Sequence, residues 1–227
     1  MKLCLATTNP HKLDEVRAIF DAHAPGAVTW LTLADVERER GAPLPEPEED
    51  QPTFEGNATL KARAYAAATG YACLADDSGL EVDALGGRPG VRSARYSGVA
   101  GGRELVDPAN NAKLLKDLAA AGADRDAERG ARYVCAMTLA APGENDVTVR
   151  GELPGRILRP EDAADPSRPA AGRGTGGFGY DPLVVLADGR TAAQYTPAEK
   201  NAVSHRGVAT RALVDALRAA GRLPGRA

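Results

Sequence analysis

The sequence predicts an α/β fold on two observations. Short strand-like apolar runs alternate with segments of helical periodicity, and glycine and proline cluster at the breaks between them. The chain has 227 residues, of which 43% are hydrophobic and 26% are charged, which is enough for one large core or for two lobes. No internal repeat and no separable linker interrupts the pattern, so we expect a single domain over residues 1–227.

The N-terminal segments predict two strands around a helix. Residues Lys2–Thr7 form a short apolar run, and Pro10–Ala22 carries apolar residues at helical spacing. A second strand is predicted over Val28–Leu33. The stretch Gly41–Pro52 is rich in proline and acidic residues, which predicts a loop.

The next two segments lead to a pair of adjacent carboxylates. Phe54–Thr69 has helical periodicity and is followed by Gly70, a residue suited to the left-handed conformation that ends many helices. Tyr71–Ala75 is a strand-like run. Its predicted end is followed at once by Asp76 and Asp77.

The middle of the chain predicts a helix and a hairpin. The dipeptide Asp107-Pro108 has the chemistry of an N-cap and a first helical residue, so a helix is predicted from there to Gly122. Residues 131–153 predict two strands around a turn at Pro142–Asn145.

The C-terminal segments predict a loop, a short strand and a final helix. Arg159–Arg173 has no period and is expected to be a loop, and Leu183–Leu186 is a candidate strand. Thr196–Glu199 has the form of a capping box with proline at the first helical position. The helix that it opens is predicted to continue to about Ala220, with a break or bend near Gly207.

Composition excludes several classes of partner. The formal net charge of −3 argues against nucleic acid and anionic membrane surfaces. No apolar run approaches the roughly 18 residues of a membrane span, and the N-terminus lacks a signal-peptide core, so no membrane partner is expected. The three cysteines lie in strand-like runs without a C-x-x-C pair, which predicts buried thiols in a reducing cytoplasm. The histidines lack zinc-site spacing, so any metal is expected to be a hard, oxygen-bound ion such as magnesium.

The adjacent carboxylates of Asp76 and Asp77 predict a nearby cation, because two neighbouring carboxylates cannot both ionise cheaply where solvent is scarce. The pair is predicted to lie at a strand end, which is the usual place of ligand crevices in α/β sheets. Asp77 is predicted to bind a divalent cation and to accept a proton from water, and Asp76 is predicted to orient Asp77. The Ser78-Gly79 turn would let a backbone amide approach a phosphate. The alternative is an Asx-type turn between strand and loop.

The junction of the first strand and first helix predicts a phosphate site. Free backbone amides point into this turn, and Lys12 in the first helical turn opposes the helix dipole unless an anion is bound. Asn9 is expected to cap the helix. Lys61 shares a face of the next helix with Asn57 and is predicted to be a second phosphate contact. The alternatives are a capped helix with a solvated lysine and a solvated polar face.

Two C-terminal stretches predict a base pocket. Glycines around Phe178 and Tyr180 would let both rings lie flat against a planar base. The formal G-x-G-x-x-G match in this stretch lacks the strand and helix of a dinucleotide site and is rejected. Lys200, His205 and Arg206 cluster hydrogen-bond donors near the expected helix break. The alternatives are a glycine-rich turn with packed rings and a solvated basic helix end.

Six motifs, in this order and over nearly the whole chain, make the sequence resemble the inosine/xanthosine triphosphate pyrophosphatase family. They are T-x-N-x-x-K-x-x-E, F-x-x-N-A-x-x-K-A, D-D-S-G-L, L-G-G-x-P-G-x-x-S-A-R-Y, G-F-G-Y-D-P and E-K-x-x-x-S-H-R, and each occurs here. The resemblance implies an elongated two-lobed α/β fold around a long twisted mixed β-sheet with flanking helices and an active-site cleft between the lobes. It also implies a cytoplasmic homodimer.

The resemblance further implies an activity. Members of the family hydrolyse deaminated purine nucleoside triphosphates (ITP, dITP and XTP) to the monophosphate and pyrophosphate with Mg²⁺, which cleanses the nucleotide pool. One rival is a house-cleaning pyrophosphatase for other modified nucleotides. The other is a nucleotide-binding sensor without turnover.

The matching motifs carry the family's site residues onto this chain. The catalytic residues would be Asp76, Asp77 and Lys61, with Asp77 as metal ligand and proton acceptor. The triphosphate would be held by Thr7, Thr8, Asn9, Pro10, His11 and Lys12, with Ser78 as a further substrate contact. The base would be surrounded by Phe178, Gly179, Tyr180, Asp181, Lys200, His205 and Arg206.

Two features depart from the family's pattern. Gly56 stands where the family often has an acidic residue. A further metal-binding glutamate is expected in the preceding loop, where Glu48 and Glu49 both fit. The segment Pro160–Ala171 is longer than in typical members and comes just before the predicted base-binding loop.

Overall fold

The computed structural model describes residues 1–224, apart from the side chain of His11. Its strands are β1 (Lys2–Leu5), β2 (Thr29–Thr32), β3 (Ala72–Val82), β4 (Gly130–Ala140), β5 (Val147–Ile157) and β6 (Val184–Val185). Its α-helices are α1 (Pro10–His23), α2 (Leu33–Arg40), α3 (Phe54–Thr69), α4 (Arg103–Ala120), α5 (Pro197–Val203) and α6 (His205–Ala219). Short 3₁₀-helices lie in several of the connections.

The strands form one mixed sheet in the order β2-β1-β3-β4-β5-β6. β1 is parallel to both β2 and β3, whereas β5 and β6 are antiparallel. The predicted α/β fold with a mixed sheet and flanking helices is therefore confirmed.

The described chain divides into two compact units. The first comprises residues 1–77, 135–152 and 204–224, and the second comprises Ser78–Val134 and Leu153–Val203. β3, β4 and β5 each continue from one unit into the other.

The first unit has an apolar core on each face of its strands. On one face, Leu3 and Leu74 pack with Phe20 of α1 and Leu213 of α6. On the other face, Cys4, Cys73 and Ala75 pack with residues of α2 and α3. Because successive residues of a strand point to opposite faces, β3 supplies even-numbered residues to the first core and odd-numbered residues to the second.

The second unit has its own core. Leu80 and Val82 of β3 pack with Leu114 and Leu118 of α4, and Tyr180 and Leu183 from the segment before β6 join them. These side chains are at most 5% exposed, so the second unit also buries a contiguous apolar cluster.

Several predicted elements are confirmed nearly to the residue. α3 begins after Thr53, whose hydroxyl accepts a hydrogen bond from the Gly56 N–H, and ends at Gly70, which has φ 74°. The predicted hairpin is present, with β4 and β5 adjacent in the sheet and joined by residues 141–146. The capping box at the start of α5 is also present, since Glu199 accepts from the Thr196 N–H at 2.8 Å.

The predicted end of the third strand at Ala75 is wrong. β3 continues to Val82, so Asp76 and Asp77 lie in the middle of a strand, and no turn follows at Ser78-Gly79. The strand continues because Leu80 and Val82 still alternate into a core, and because Gly79 lets Ser93 approach the backbone. A Cβ at Gly79 would lie 2.4 Å from the Ser93 Oγ.

Three further predictions need correction. α2 was not predicted, although Thr32 and Asp35 form a capping box for it. α4 begins at Arg103 rather than near Asp107, because the Asp107 carboxylate accepts a hydrogen bond from the Gly179 N–H at 2.8 Å instead of capping a helix. The final helix is interrupted at Ser204, not near Gly207.

Candidate active site

The two adjacent aspartates lie on opposite faces of β3 and have different partners. Asp76 shares its face with Leu74 and lies against α1 and α6, where it pairs with Lys12. Asp77 shares its face with Cys73 and Ala75 and pairs with Asn57 of α3. Mutual repulsion of the carboxylates is therefore limited by the pleat of the strand as well as by cations.

The Asp76 carboxylate lies between two cations of the first unit. Its Oδ2 atom is 2.8 Å from the Lys12 Nζ and 3.7 Å from the Arg206 Nε. Burial would raise the pKa of Asp76, but the charges of Lys12 and Arg206 outweigh it and hold that pKa well below its usual range. Asp76 is thus an ionised, buried carboxylate.

Two hydrogen bonds shape the turn that leads into α1. The Thr7 Oγ1 accepts a hydrogen bond from the Asn9 N–H at 3.2 Å, and the Asn9 carbonyl accepts one from Leu13. Thr8 and Pro10 are exposed, and no acidic residue lies in the first turn. The side chain of His11 lies outside the described part of the structure.

The Asp77 carboxylate is buried and accepts a hydrogen bond from the Asn57 side chain. The Asn57 Nδ2 donates to the Asp77 Oδ2 at 2.9 Å, and the Asn57 Oδ1 accepts from the Gln51 N–H at 3.0 Å. Burial raises the pKa of Asp77, the Lys61 charge and the Asn57 hydrogen bond lower it, and the Glu49 charge raises it, with a net upward shift. A raised pKa suits a carboxylate that accepts a proton.

The structure distinguishes the two candidate glutamates of the loop before α3. Glu49 is half-buried and its Oε1 lies 3.1 Å from the Lys61 Nζ, whereas Glu48 is exposed. The Glu49 charge also acts on Asp77. The geometry therefore favours Glu49 over Glu48 as the partner of Asp77.

The oxygen ligands around Asp77 fit a hard divalent cation whose remaining coordination positions are filled by the substrate. In residues 1–224, no group of three or more His, Cys, Asp and Glu side chains is arranged to hold a metal ion. Magnesium, however, usually takes one or two carboxylates and fills its remaining positions with phosphate and water. The carboxylates of Asp77 and Glu49 match this requirement, because both supply oxygen only.

The predicted base-binding loop lies in the second unit and is organised by Asp181. Its carboxylate accepts hydrogen bonds from the Tyr133 hydroxyl at 2.8 Å, the Lys200 Nζ at 2.6 Å and the Phe178 N–H at 2.8 Å. Burial, followed by the Asp181 charge, raises the pKa of Tyr133 well above its usual value. Asp181 thus fixes both Lys200 and the backbone beside Phe178.

The two aromatic rings of this loop have different environments. Tyr180 is 5% exposed and its hydroxyl donates to the Ser93 carbonyl at 2.9 Å, so this ring packs in the core. The Phe178 ring is half-buried, with the Lys200 Nζ 4.8 Å and the Arg103 guanidinium 4.6 Å from its centroid. The geometry therefore favours Phe178 as the ring that stacks on a base.

A cavity of about 390 Å³ adjoins this loop within the second unit. Its walls are the start of α4, the residues 168–171 and the residues 175–179. The Asn111 Nδ2 donates to the carbonyls of Ala170 and Gly179, which links the long segment noted in the sequence to the glycine-rich loop.

The remaining predicted contacts surround the start of α6 and the middle of β3. Ser204 caps α6, with its Oγ accepting from the Gly207 N–H at 3.0 Å, and His205 is buried just after it. Arg206 is 2% exposed and pairs with Glu15 and Asp76 of the first unit. Ser78 is half-buried within β3.

The structure adds three contacts to the site that the sequence did not predict. Glu15 pairs with Arg206, Asn57 donates to Asp77, and Arg103 lies over Phe178. Glu15 and Asn57 stand at fixed positions of the first two motifs, which was an available signal. No sequence motif contains Arg103, and its contact with the Phe178 ring depends on where α4 begins.

These features define an α/β protein whose strand β3 carries two buried aspartates, each near a lysine of a flanking helix, and whose second unit has a cation-flanked aromatic loop. The chain belongs to the Ham1 family, whose sequence model matches residues 3–216. This finding confirms the family resemblance. Among the described residues, no helix is long and apolar enough to cross a membrane.

Named relatives and solved structures match nearly the whole chain. The chain is 50% identical over 218 residues to the dITP/XTP pyrophosphatase of Mycobacterium tuberculosis, covering 96% of this chain and 95% of that protein. It is 48% identical over 219 residues to the dITP/XTP pyrophosphatase of Nocardia farcinica, with the same coverage. A HAM1 protein from Coxiella burnetii has a TM-score of 0.79 at 33% identity, over 96% of this chain and 99% of that one. The nucleoside-triphosphatase / dITP/XTP pyrophosphatase of Mycobacterium abscessus has a TM-score of 0.70 at 43% identity, over 96% and 100%.

Proposed function

We propose that this protein hydrolyses deaminated purine nucleoside triphosphates (ITP, dITP and XTP) to the monophosphate and pyrophosphate. The names of its relatives support the reaction and the substrate class. The structural observation that carries the proposal is the environment of Asp77. This carboxylate is buried, has a raised pKa, and lies near Lys61 and Glu49.

Magnesium is the proposed cofactor, and Asp77 and Glu49 are its proposed protein ligands. When bound, the ion would neutralise phosphate charge and increase the acidity of water. Asn57 would keep the Asp77 carboxylate oriented, because its amide is itself held by the Gln51 backbone. Lys61 would neutralise the excess negative charge of the two carboxylates and contact phosphate.

The proposed reaction is attack of water on the α-phosphorus. The new bond joins the water oxygen to phosphorus, the bond to the pyrophosphate oxygen breaks, and Asp77 accepts the water proton. The amides at the start of α1, with Thr7, Thr8, Asn9, Pro10, His11 and Lys12, would bind the triphosphate, and Ser78 would add a contact. Phosphoryl transfer depends chiefly on positioning and charge neutralisation, which this cluster would provide.

The base is assigned to the second unit. Phe178 would stack on the ring, and Gly179, Tyr180, Asp181 and Lys200 would form or support the surrounding pocket. A hydrogen-bond donor of the protein that faces the 6-keto oxygen of hypoxanthine or xanthine would have no acceptor in adenine, because adenine has an amino group at that position. Such a polar mismatch can discriminate by about 10⁴-fold.

Cytoplasmic location and a homodimeric state complete the proposal, and both rest on family resemblance. The test is pyrophosphate release from ITP, dITP, XTP, GTP, ATP and a set of modified pyrimidine and methylated triphosphates, with magnesium and with chelator. Magnesium-dependent release from the first three supports the proposal. Preference for modified pyrimidine or methylated triphosphates identifies the rival pyrophosphatase, and binding without release identifies a sensor.

A further inference from the structure

We propose that the Tyr133 hydroxyl is a positioning group of the base-binding loop, and that it acts through the Asp181 carboxylate on Lys200 and on the backbone of Phe178. The inference rests on the proposed function, because that function assigns Phe178 and Lys200 to the base. Tyr133 lies outside all six sequence motifs. All four residues belong to the second unit.

The first argument is the set of donors around a buried carboxylate. Asp181 is 3% exposed, so almost no water reaches its charge. The Lys200 Nζ donates to the Asp181 Oδ2 at 2.6 Å, and the Phe178 N–H donates to the same atom at 2.8 Å. The Tyr133 hydroxyl donates to the other oxygen, Oδ1, at 2.8 Å. Because a buried charge is costly when a partner is missing, this hydroxyl holds the orientation in which Oδ2 faces the loop.

The second argument is that Tyr133 is a fixed donor. It lies on β4, is 7% exposed, and packs in the core of the second unit with Tyr180 and Leu183. Burial, followed by the Asp181 charge, raises the pKa of Tyr133 well above its usual value, so the hydroxyl keeps its proton. A central strand thus carries the donor, whereas the acceptor lies in a turn.

The third argument is how tightly the loop closes around the carboxylate. Gly177 has φ +73°, which favours glycine, and a Cβ at this position would lie 2.0 Å from the Asp181 Oδ2. The Asp181 carbonyl accepts a hydrogen bond from the Ala193 N–H at 3.1 Å, so its backbone is held as well. A rotation of the carboxylate would therefore displace the backbone at Gly177 and Phe178.

Loss of the hydroxyl would leave the Asp181 Oδ1 without its donor. The Lys200 ammonium can donate to either carboxylate oxygen, so it would shift toward Oδ1. This shift changes its position relative to the Phe178 ring, whose centroid now lies 4.8 Å from the Lys200 Nζ. Both groups assigned to the base would lose their geometry, while the residues assigned to the triphosphate are not involved.

The test is Tyr133→Phe, which removes the hydroxyl and keeps the ring. We expect the KM for ITP to rise by about tenfold with kcat unchanged, because a hydrogen bond to a buried charge is lost and only binding of the base depends on it. If Tyr133→Phe does not fold, which thermal unfolding detects, Tyr133→Met supplies another apolar side chain without a donor.

The matched control is Tyr96→Phe. Tyr96 lies in the same unit, and its hydroxyl also donates to a carboxylate, that of Asp117. This variant loses the same kind of hydrogen bond away from the loop, so the KM for ITP should stay at the wild-type value. An equal rise in KM with Tyr96→Phe would show a general effect of lost stability and would overturn the inference.

A double variant tests the route through Asp181. Asp181→Ala removes the acceptor of the hydroxyl and should itself raise the KM for ITP. Adding Tyr133→Phe to Asp181→Ala should leave the KM unchanged, because the two residues act in one network. A further rise of about tenfold would show that the hydroxyl acts on the base by another route, which also overturns the inference.

The closing experiment observes the loop without turnover. Hydrogen exchange of the Phe178 amide, which donates to Asp181, is followed by NMR in the wild type, Tyr133→Phe and Tyr96→Phe. We expect exchange to be about tenfold faster in Tyr133→Phe and unchanged in Tyr96→Phe. Binding of inorganic tripolyphosphate, a probe without a base, is measured by calorimetry and should be equal in all three proteins.

Unchanged exchange of the Phe178 amide in folded Tyr133→Phe overturns the inference. A loss of kcat with the KM unchanged does the same, as does a loss of tripolyphosphate binding as large as the rise in KM. If the wild type releases no pyrophosphate yet the Phe178 amide exchanges faster in Tyr133→Phe, the proposed function fails while the positioning of the loop by Tyr133 stands.

Discussion

The Asn57 amide donates to the Asp77 carboxylate at 2.9 Å while its own oxygen accepts from the backbone of the loop before α3. One side chain thus ties a central strand to the loop that carries Glu49. The neutral Asn57 side chain therefore helps to fix the distance between Asp77 and Glu49, the two proposed metal ligands, without a metal ion.

Replacing Asp77 should remove most of the activity. We expect Asp77→Asn to lower kcat for ITP by at least about 10²-fold, because a general base contributes factors of this size. The measurement is steady-state pyrophosphate release. Asp83→Asn, an exposed position just after the same strand, is the matched control and should retain normal turnover. Near-normal activity of Asp77→Asn would exclude the general-base role.

Asn57→Ala should lower both stability and turnover. It leaves the Gln51 N–H without its acceptor and the buried Asp77 without its donor, which costs about 1–3 kcal/mol of unfolding free energy. Urea unfolding measures the loss. Thr59→Ala, on the same helix, breaks a 3.0 Å contact with Thr138 and should lower stability without a comparable loss of kcat. Equal kcat losses in both variants would show that Asn57 has no specific role at Asp77.

Phe178→Ala should weaken binding of the base. Loss of base–aromatic stacking costs about 1–3 kcal/mol, so the KM for ITP should rise while tripolyphosphate binding stays at the wild-type level. Phe178→Tyr keeps the ring and should preserve the KM. A rise in KM with both substitutions would assign the effect to the loop backbone rather than to stacking.

Stability should depend on Glu199 in a pH-dependent way. The backbone and hydroxyl of Thr196, with Arg190, lower the pKa of Glu199 from 4.5 to about 2 in the folded protein. A lowered folded pKa gives stability that is full above pH 4.5 and is lost as the pH falls toward 2. Wild type should therefore be more stable than Glu199→Gln at pH 7, with the difference shrinking at pH 3.5. A constant difference at both pH values would contradict this linkage.

The native cysteines should be inert to thiol reagents. Cys4, Cys73 and Cys135 are each 0% exposed, and burial together with the Asp76 charge raises the pKa of Cys135 to about 12. Ellman's reagent at pH 8 should therefore label none of them until the protein is unfolded in urea. Rapid labelling of the folded protein would show that a thiol is accessible through local opening.

Local patterns sufficed where an element is determined by its own residues. The helical pattern of Phe54–Thr69 and the stop at Gly70 predicted α3, and the Thr196 capping box predicted the start of α5. Tertiary contacts decided the rest. Asp107 has the chemistry of an N-cap but bonds the Gly179 N–H, which lies far along the chain.

The same distinction applies to the site. Lys12 and Asp76, both singled out from the sequence, do meet in the structure, as do Lys61 and Glu49. The separation of Asp76 from Asp77 was not predicted. It depends on the strand continuing past them, and that continuation is set by the second core and by the approach of Ser93 to Gly79.

The position of Asp77 has a consequence for hydrogen exchange. β3 lies between β1 and β4, so its amides should exchange with deuterium only in openings that cost nearly the full unfolding free energy. Glu49 lies in a loop without strand or helix and should exchange much sooner. Deuterium uptake would then place one proposed metal ligand on a strand whose amides exchange slowly and the other on a loop whose amides exchange fast.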